Sequence, residues 1–374
     1  MAFGDYVPHR DDSLEKWAYK EHTKVKHEIL SKYLSGWIRI LGSHNKKVCY
    51  FDCFAGRGKY ADGEDGSPLI ALETACRIKD QFEYIDEIVC TFIEKDKNNY
   101  NNLKAVIDAE KDNAEKYDKI NILNPINDEF SNLVAEIREI RGRLAPSFFF
   151  IDPFGFGGVP FEDIKYILSL PKTEVFFNFM VRDVNRFLTS SKHRISIEEL
   201  FGFNNVSDIL EKKYSHLTAE QSLLRLYRDQ LHNYASVKYT LPYKVNADDK
   251  LQTTYYLIHA TNHPLGCALM KGVMYSIGTE GRFGYLGPAE GQMTLESYGD
   301  LSQFKEFLLD RFQGKTLSFK EIQELSCMET FFIEKHYRQA VKELYGDEII
   351  DIQGLGPRGG IKKESQIVFP KMIS

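Results

Sequence analysis

The sequence has no CxxC pair among its six cysteines, Cys49, Cys53, Cys76, Cys90, Cys267 and Cys327. That spacing argues against a zinc site or a disulfide framework and predicts buried thiols, with no metal site. No apolar run approaches the roughly 20 residues a membrane helix requires. The opening MAFGDYVPHRDD lacks a basic-then-apolar signal pattern, so a cytoplasmic protein without a membrane association is expected. Positive charge is not in surplus. The formal net charge of -6 argues against indiscriminate nucleic-acid binding but leaves room for a local basic face. There is no internal repeat, low-complexity tract or long linker. What remains is an ordinary globular composition, 43% hydrophobic and 27% charged over 374 residues, enough for two domains or three.

The most informative stretch is Lys47 to Tyr60, KVCYFDCFAGRGKY. Val48 to Phe51 has strand chemistry, and Asp52 stands where that strand should end. Phe54, Ala55, Gly56, Arg57 and Gly58 form a sharp turn, in which small residues let a ligand approach the backbone. A helix is expected from Ser67, with Ser67 as its cap and Pro68 in its first turn. Strand, glycine turn and helix make the first unit of a doubly wound α/β sheet. The next strand, EIVCTFIE, ends in Glu94, placed to grip ribose hydroxyls; Asp96 could share that role, and a solvated strand end is the bland alternative.

SFFFIDPFGFGGVP supplies a second strand tip. Pro153 restricts Asp152 to an extended backbone, and Phe154 and Phe156 offer flat apolar surfaces beside that acceptor. The combination suits a planar, amine-bearing substrate; a tight aromatic turn under a helix is the structural alternative. Farther on, Arg182, Arg186, Lys192, His193 and Arg194 cluster after the strand EVFFNFM. With Arg57 and Lys59 they could ring one mouth of the sheet and meet a phosphate backbone, or form a solvated loop. Lys24, Lys26 and His27, on a helix expected over Leu14 to Leu41, either lie near the site or on a solvated face.

Residues 1–45 read as a helical lead-in and 46–290 as a Rossmann-like domain with a helical insertion around 187–235. Within that insertion, helices are expected over Ser196 to Lys212 and Thr218 to Tyr234. An antiparallel hairpin, Ser236 to Val245 and Thr253 to Ala260, closes the sheet. Residues 298–374 read as a winged-helix-like domain. Its third helix carries Lys335, His336, Arg338, Gln339 and Lys342 as a candidate recognition surface. From Leu301 to Ser374 there are 11 Lys and Arg against 11 Asp and Glu, so DNA docking and protein docking both stay open.

Together the Lys26-His27 helix, FDCFAGRGKY with GSPLIAL, FIEKD, FIDPFGF and TNHPLGCALMK resemble the three-Cys-motif partner family (TcmP). That family is similar to class I S-adenosylmethionine-dependent methyltransferases. The resemblance implies S-adenosylmethionine as cofactor, with Asp52, Phe54, Gly56 and Gly58 in the cofactor loop and Glu94 on the ribose. It puts Asp128 or Asn124 at the adenine. It also implies a separate three-Cys-motif, radical-S-adenosylmethionine-like partner protein. Asp152-Pro153-Phe154 partly resembles the Asp-Pro-Pro-aromatic motif of amino-directed methyltransferases, with Phe154 in place of the second proline. The leading expectation is a methyltransferase acting on nucleic acid or a nucleotide-like group. The alternative is a non-catalytic cofactor-binding or nucleic-acid-binding adaptor. A nicotinamide dehydrogenase comes third, because no hydride-transfer constellation is present.

Overall fold

The structure is a computed structural model describing residues 20–113, 115–140, 144–247, 252–278, 284–285 and 301–371. Residues 1–19 of the expected lead-in and residues 286–300, where the two expected domains meet, lie outside them. Among the described residues the main sheet has eight strands. These are β1 (Lys47–Asp52), β2 (Glu87–Phe92), β3 (Ile120–Ile122), β4 (Ser147–Ile151), β5 (Thr173–Phe179), β6 (Tyr239–Asn246), β7 (Thr253–Thr261) and β8 (Gly284–Tyr285). Their order is β3-β2-β1-β4-β5-β7-β6-β8. The first five run parallel, β7 is antiparallel to both β5 and β6, and β8 runs parallel to β6. This is the expected Rossmann-like sheet, closed by the expected antiparallel hairpin.

Strand alternation explains how the sheet carries a site. Val48 and Tyr50, Phe148 and Phe150, and Phe176 and Leu257 share one apolar cluster. That face is covered by α1 (Glu21–Gly42), α2 (Ser67–Gln81) and α10 (Pro264–Ile277). Cys49, Phe51, Phe149, Ile151, Val175 and Phe177 face the opposite cluster, under α4 (Phe130–Glu139), α5 (Phe161–Ser169) and α9 (Ala219–Asn233). Side chains two residues apart share a face. Asp52, Asp152 and Asn178 therefore continue the α1-covered row at the carboxyl ends of three adjacent strands. At the amino end of the same row, Glu174 accepts from Tyr33 and contacts His259 Nε2 at 3.0 Å. That polar knot holds α1 along the sheet.

Several local expectations are corrected. Ser67 is the first residue of α2, and Gly66 occupies the N-cap position without a side-chain cap. Val181–Phe187, where a solvated loop was one of two readings, is helix α6. The single helix expected over Ser196 to Lys212 is two, α7 (Arg194–Phe201) and α8 (Val206–Tyr214). Gly202 separates them with φ +77°, where a Cβ would come within 2.7 Å of the Phe161 ring. Helix α3 (Lys97–Lys111) is capped by Asp96, whose carboxylate accepts from the amides of Asn98 and Asn99. Both amides use Asp96 Oδ1.

The last segment has the winged-helix elements: α11 (Leu301–Arg311), α12 (Phe319–Ser326), α13 (Glu334–Gly346) and a sheet of β9 (Thr316–Ser318), β10 (Asp351–Gln353) and β11 (Gln366–Val368). Strand β9, not anticipated, pairs with β11. Ser318 caps α12 in a capping box with Glu321, as the spacing predicts. Phe304, Leu308, Phe319, Ile322, Val341 and Ile367 form its own core. It docks on α10: buried Lys271 donates to the Cys327 carbonyl at 2.7 Å and to Thr330 Oγ1 at 3.2 Å.

Candidate functional site

The glycine turn crosses the tip of β1 and is tied to the neighbouring strand. The amide of Ala55 donates to the carbonyl of Ile93, and the amide of Gly56 donates to Glu94 Oε2, both at 2.9 Å. Glu94 Oε1 accepts from the Asp96 amide at 2.7 Å. Gly56 and Gly58 have φ of +61° and +82°, a region open to glycine without strain. The chain then makes a small hairpin: Tyr60 donates to the Glu64 carbonyl at 2.8 Å, and Gly66 to the Gly58 carbonyl at 2.9 Å. A Cβ on Gly66 would stand 2.8 Å from the Gly58 oxygen, so only glycine lets the two limbs meet. Phe54, half-buried, leans on Phe130.

Asp52 lies deeper than a ligand contact would need. It is 0% exposed, beneath the turn, and accepts from Tyr50 Oη at 3.3 Å. Among the described residues its buried Oδ1 has no hydrogen-bond partner. Burial, with the Asp152 carboxylate adding to it, pushes Asp52 up to about 7; the Ser67 hydroxyl and the Phe54 amide pull the other way. Glu94 is also raised by burial, partly offset by its two amide donors. Asp52 and Glu94 belong to the same face, with Glu94 one pleat farther out, because Asp52 pairs in register with Phe92.

The third acid has one donor on each oxygen. Asp152 Oδ2 accepts from Lys26 Nζ, and Oδ1 accepts from Asn178 Nδ2 at 2.6 Å. Lys26 reaches it from α1 and is only 7% exposed. Its ammonium lies 6.0 Å from the Tyr255 ring centre. His27, buried beside it, has its ring 5.9 Å from that of Tyr60; burial and then the Lys26 charge drive its pKa well down. Of the two readings open for Lys26 and His27, the structure supports the one near the site. Lys24 is exposed and paired with Glu21. Asn178 was not anticipated. The signal was present as a polar residue within the apolar strand EVFFNFM.

Phe154 is 58% exposed. Phe156 does not line a slot, and that expectation is corrected. It is 2% exposed and packs on Phe187 and His193, both at 6.0 Å. Phe156 thereby anchors the Asp152 loop to the basic segment. Arg182 and Arg186 are exposed one turn apart on α6, directly after the carboxyl end of β5. Asp183 lies between them and is raised by burial against the pull of both arginines. Lys192 and Arg194 flank buried His193, whose ring lies tilted against Phe187 with centroids 4.4 Å apart. Arg57 and Lys59 follow β1 on the same sheet edge; Lys59 pairs with Asp65 at 3.6 Å.

At the exit of β3, Asp128 Oδ1 accepts from the Glu129 amide and from Asn132, organising the start of α4. Asn124 accepts from Lys111 Nζ at 2.7 Å. Between them Asn127, not singled out from the sequence, donates to the carbonyls of Glu94 and Lys95, both at 2.9 Å. It locks that loop behind the Glu94 tip. On the winged helix the candidate recognition face is partly spoken for. His336 Nε2 is 3.3 Å from Tyr275 Oη on α10. Lys335 lies over the Tyr275 ring, and Arg338 binds Glu334 and the Ile361 carbonyl.

Residues 288–354 match the family model of the GMT-like wHTH domain. No curated protein matches the chain. Among solved structures, an O-methyltransferase from Bacillus cereus in complex with SAH is similar at 12% identity and TM-score 0.32, over 68% of this chain and 93% of that one. Protein LPL1258 from Legionella pneumophila is similar at 13% identity and TM-score 0.35, over 63% and 85%. The O-methyltransferase TomG from Streptomyces achromogenes in complex with SAM gives 11% identity and TM-score 0.31, over 67% and 99%. All three TM-scores lie below 0.5, so cofactor and reaction rest on this chain's own residues.

Proposed function

We propose that the chain binds S-adenosylmethionine at the tips of β1 and β2 and methylates an amino group on nucleic acid or a nucleotide-like substrate. The observation that carries this reading is the interlock of the glycine turn with Glu94. It sets bare backbone and a carboxylate side by side at the carboxyl edge, where open α/β sheets take their ligands. The residues fit the cofactor. Glu94 takes one backbone amide on each oxygen, with the Asn99 side chain beside it, and its remaining acceptor positions would meet ribose hydroxyls. The absence of side chains at Gly56 and Gly58 would let the amino-acid tail approach the backbone. Asp52 would hold the turn from below, and the β3 exit around Asp128 would flank the adenine.

Bound there, the cofactor supplies a methyl group on a positively charged sulfur. The chain's part is alignment, which can provide much of the rate. Asp152 would accept a hydrogen bond from the substrate amine, aim its lone pair and take up the proton it releases. Phe154 would stack on the substrate ring. A base in a duplex would leave its stack to enter. Arg182, Arg186, Lys192 and Arg194, with Arg57 and Lys59, would hold phosphates. A three-Cys-motif protein is the proposed partner, on the strength of the motif set FDCFAGRGKY, FIEKD and FIDPFGF.

One observation favours a second reading, a non-catalytic adaptor: both Asp152 oxygens already accept hydrogen bonds. Incubation with methyl-labelled cofactor and mixed nucleic acids, with and without the partner, separates the two. The methyltransferase reading expects label transfer that Asp152→Asn abolishes while cofactor binding persists. Bound cofactor without transfer in every mixture would leave the adaptor standing.

A further inference from the structure

Two of the buried cysteines meet where the winged helix docks. Cys267 and Lys271 stand one turn apart on the same side of α10. Lys271 Nζ donates to the Cys327 carbonyl at 2.7 Å, which draws Cys327, the residue just after α12, against that side. Cys327 joins the apolar cluster of the main sheet, with Cys267 and Met270; among the described residues of the winged helix it alone does so. A side-chain hydrogen bond joins the two thiols, raising Cys267 and lowering Cys327 against the effect of burial, and the Lys271 charge favours both thiolates. Lys271 is itself buried, and its hydrogen-bond partners, the Cys327 carbonyl and the Thr330 hydroxyl, are neutral. A buried ammonium gains from negative charge beside it, which a Cys327 thiolate supplies. The same ammonium repels a metal cation from the pair.

We infer that Cys267 and Cys327 form a redox modification site, at which a hydroperoxide makes a disulfide that locks the winged helix onto α10. Cys327 is the attacking sulfur. It keeps a small opening, 6% exposed, beside the exposed Met328. With hydrogen peroxide, the Cys327 thiolate bonds to one oxygen, the O–O bond breaks and hydroxide leaves, giving a sulfenic acid. The Cys267 thiol then gives up its proton and its sulfur attacks that of Cys327. The S–S bond forms, the S–O bond breaks, and water departs. Two thiols and one hydrogen peroxide become one disulfide and two waters. A dithiol reductant reverses the step by exchange. In a reducing compartment such a bond is transient, formed under oxidation and then removed. The reduced protein holds the winged helix by hydrogen bonds alone across this contact, from Lys271 and between Tyr275 and His336. The oxidised protein adds a covalent bond, so α13 cannot leave α10 and the side of it that carries His336 stays covered.

The test uses the full chain, reduced and then treated with hydrogen peroxide while folded. Remaining thiols are alkylated, and peptides are mapped by mass spectrometry without reductant. A peptide pair linked through Cys267 and Cys327 is expected, and dithiothreitol should remove it. Hydrogen exchange on the same sample should slow by about tenfold or more in α12 and α13 and recover on reduction. Peroxide should leave that exchange unchanged in Cys267→Ala, where oxidation stops at a Cys327 sulfenic acid that dimedone traps. No linked pair would overturn the inference, as would a pair that forms only when the chain is unfolded first. So would links of equal yield to Cys49 or Cys90, or a linked pair with unaltered exchange in α12 and α13.

Discussion

At the scale of single residues, the carboxyl edge is governed by three acids in three different settings. Asp52 is buried and raised to about 7. An acid held protonated in the fold but ionised near its ordinary value when unfolded makes stability fall as pH rises between those values. For Asp52 that window runs from about 4 to about 7, and the loss across it is at most about 4 kcal/mol. Asp52→Asn should therefore gain on wild type as pH rises from about 5 to about 8, read by thermal unfolding; a parallel pH dependence of the two proteins would contradict the assignment. Asp152 differs because Lys26 and Asn178 compensate it. Removing Lys26 leaves an acid whose principal donor is gone, and Lys26→Met should depress label transfer more than cofactor affinity. The acid at each strand end was legible in the sequence because a charge closing an apolar run is conspicuous. The donors that engage them were not, since Lys26 and Asn178 are brought in by tertiary packing of α1 and β5.

At the scale of elements, the turn after β1 depends on contacts between its own limbs. Gly66→Ala would drive a methyl into the Gly58 carbonyl, with no flexible side chain to yield. We expect a loss of about 1–3 kcal/mol of stability and a larger loss of cofactor affinity, since the displaced limb carries the Gly56 amide that Glu94 holds. Calorimetry and thermal unfolding on the same variant measure both; unchanged affinity would detach the hairpin from the site. Strand, glycine turn and helix were readable here from spacing alone. The helix after Met180 was not, because Val181-Arg182-Asp183-Val184 is short and charged, and its apolar side becomes evident only against α9 and β7. Phe156 misled for a related reason: an aromatic in a glycine-rich loop suggests exposure, yet Phe187 and His193 cover it.

At the scale of the whole molecule, the winged-helix segment is docked rather than tethered. Lys271, buried in α10, donates into the end of α12, and Tyr275 meets His336 on α13. Lys271→Ala should leave the Cys327 carbonyl short of its donor and cost about 1–3 kcal/mol. Hydrogen exchange should then show faster exchange in α12 and α13 while β1 and β4 stay protected; uniform protection would mean that the docking rests elsewhere. The two folds were legible from element order and capping signals, whereas their mutual contact was not, because it is made by a buried lysine and a backbone carbonyl that no motif marks. The central claim is that Glu94 and the glycine turn form a cofactor cradle. Its most direct test is calorimetric titration of wild type and Glu94→Ala with S-adenosylmethionine. Saturable one-to-one binding by wild type, weakened by about 100-fold or more in the variant, is predicted from the loss of charged hydrogen bonds to the ribose. No binding by wild type, or equal affinity in the two proteins, would contradict it.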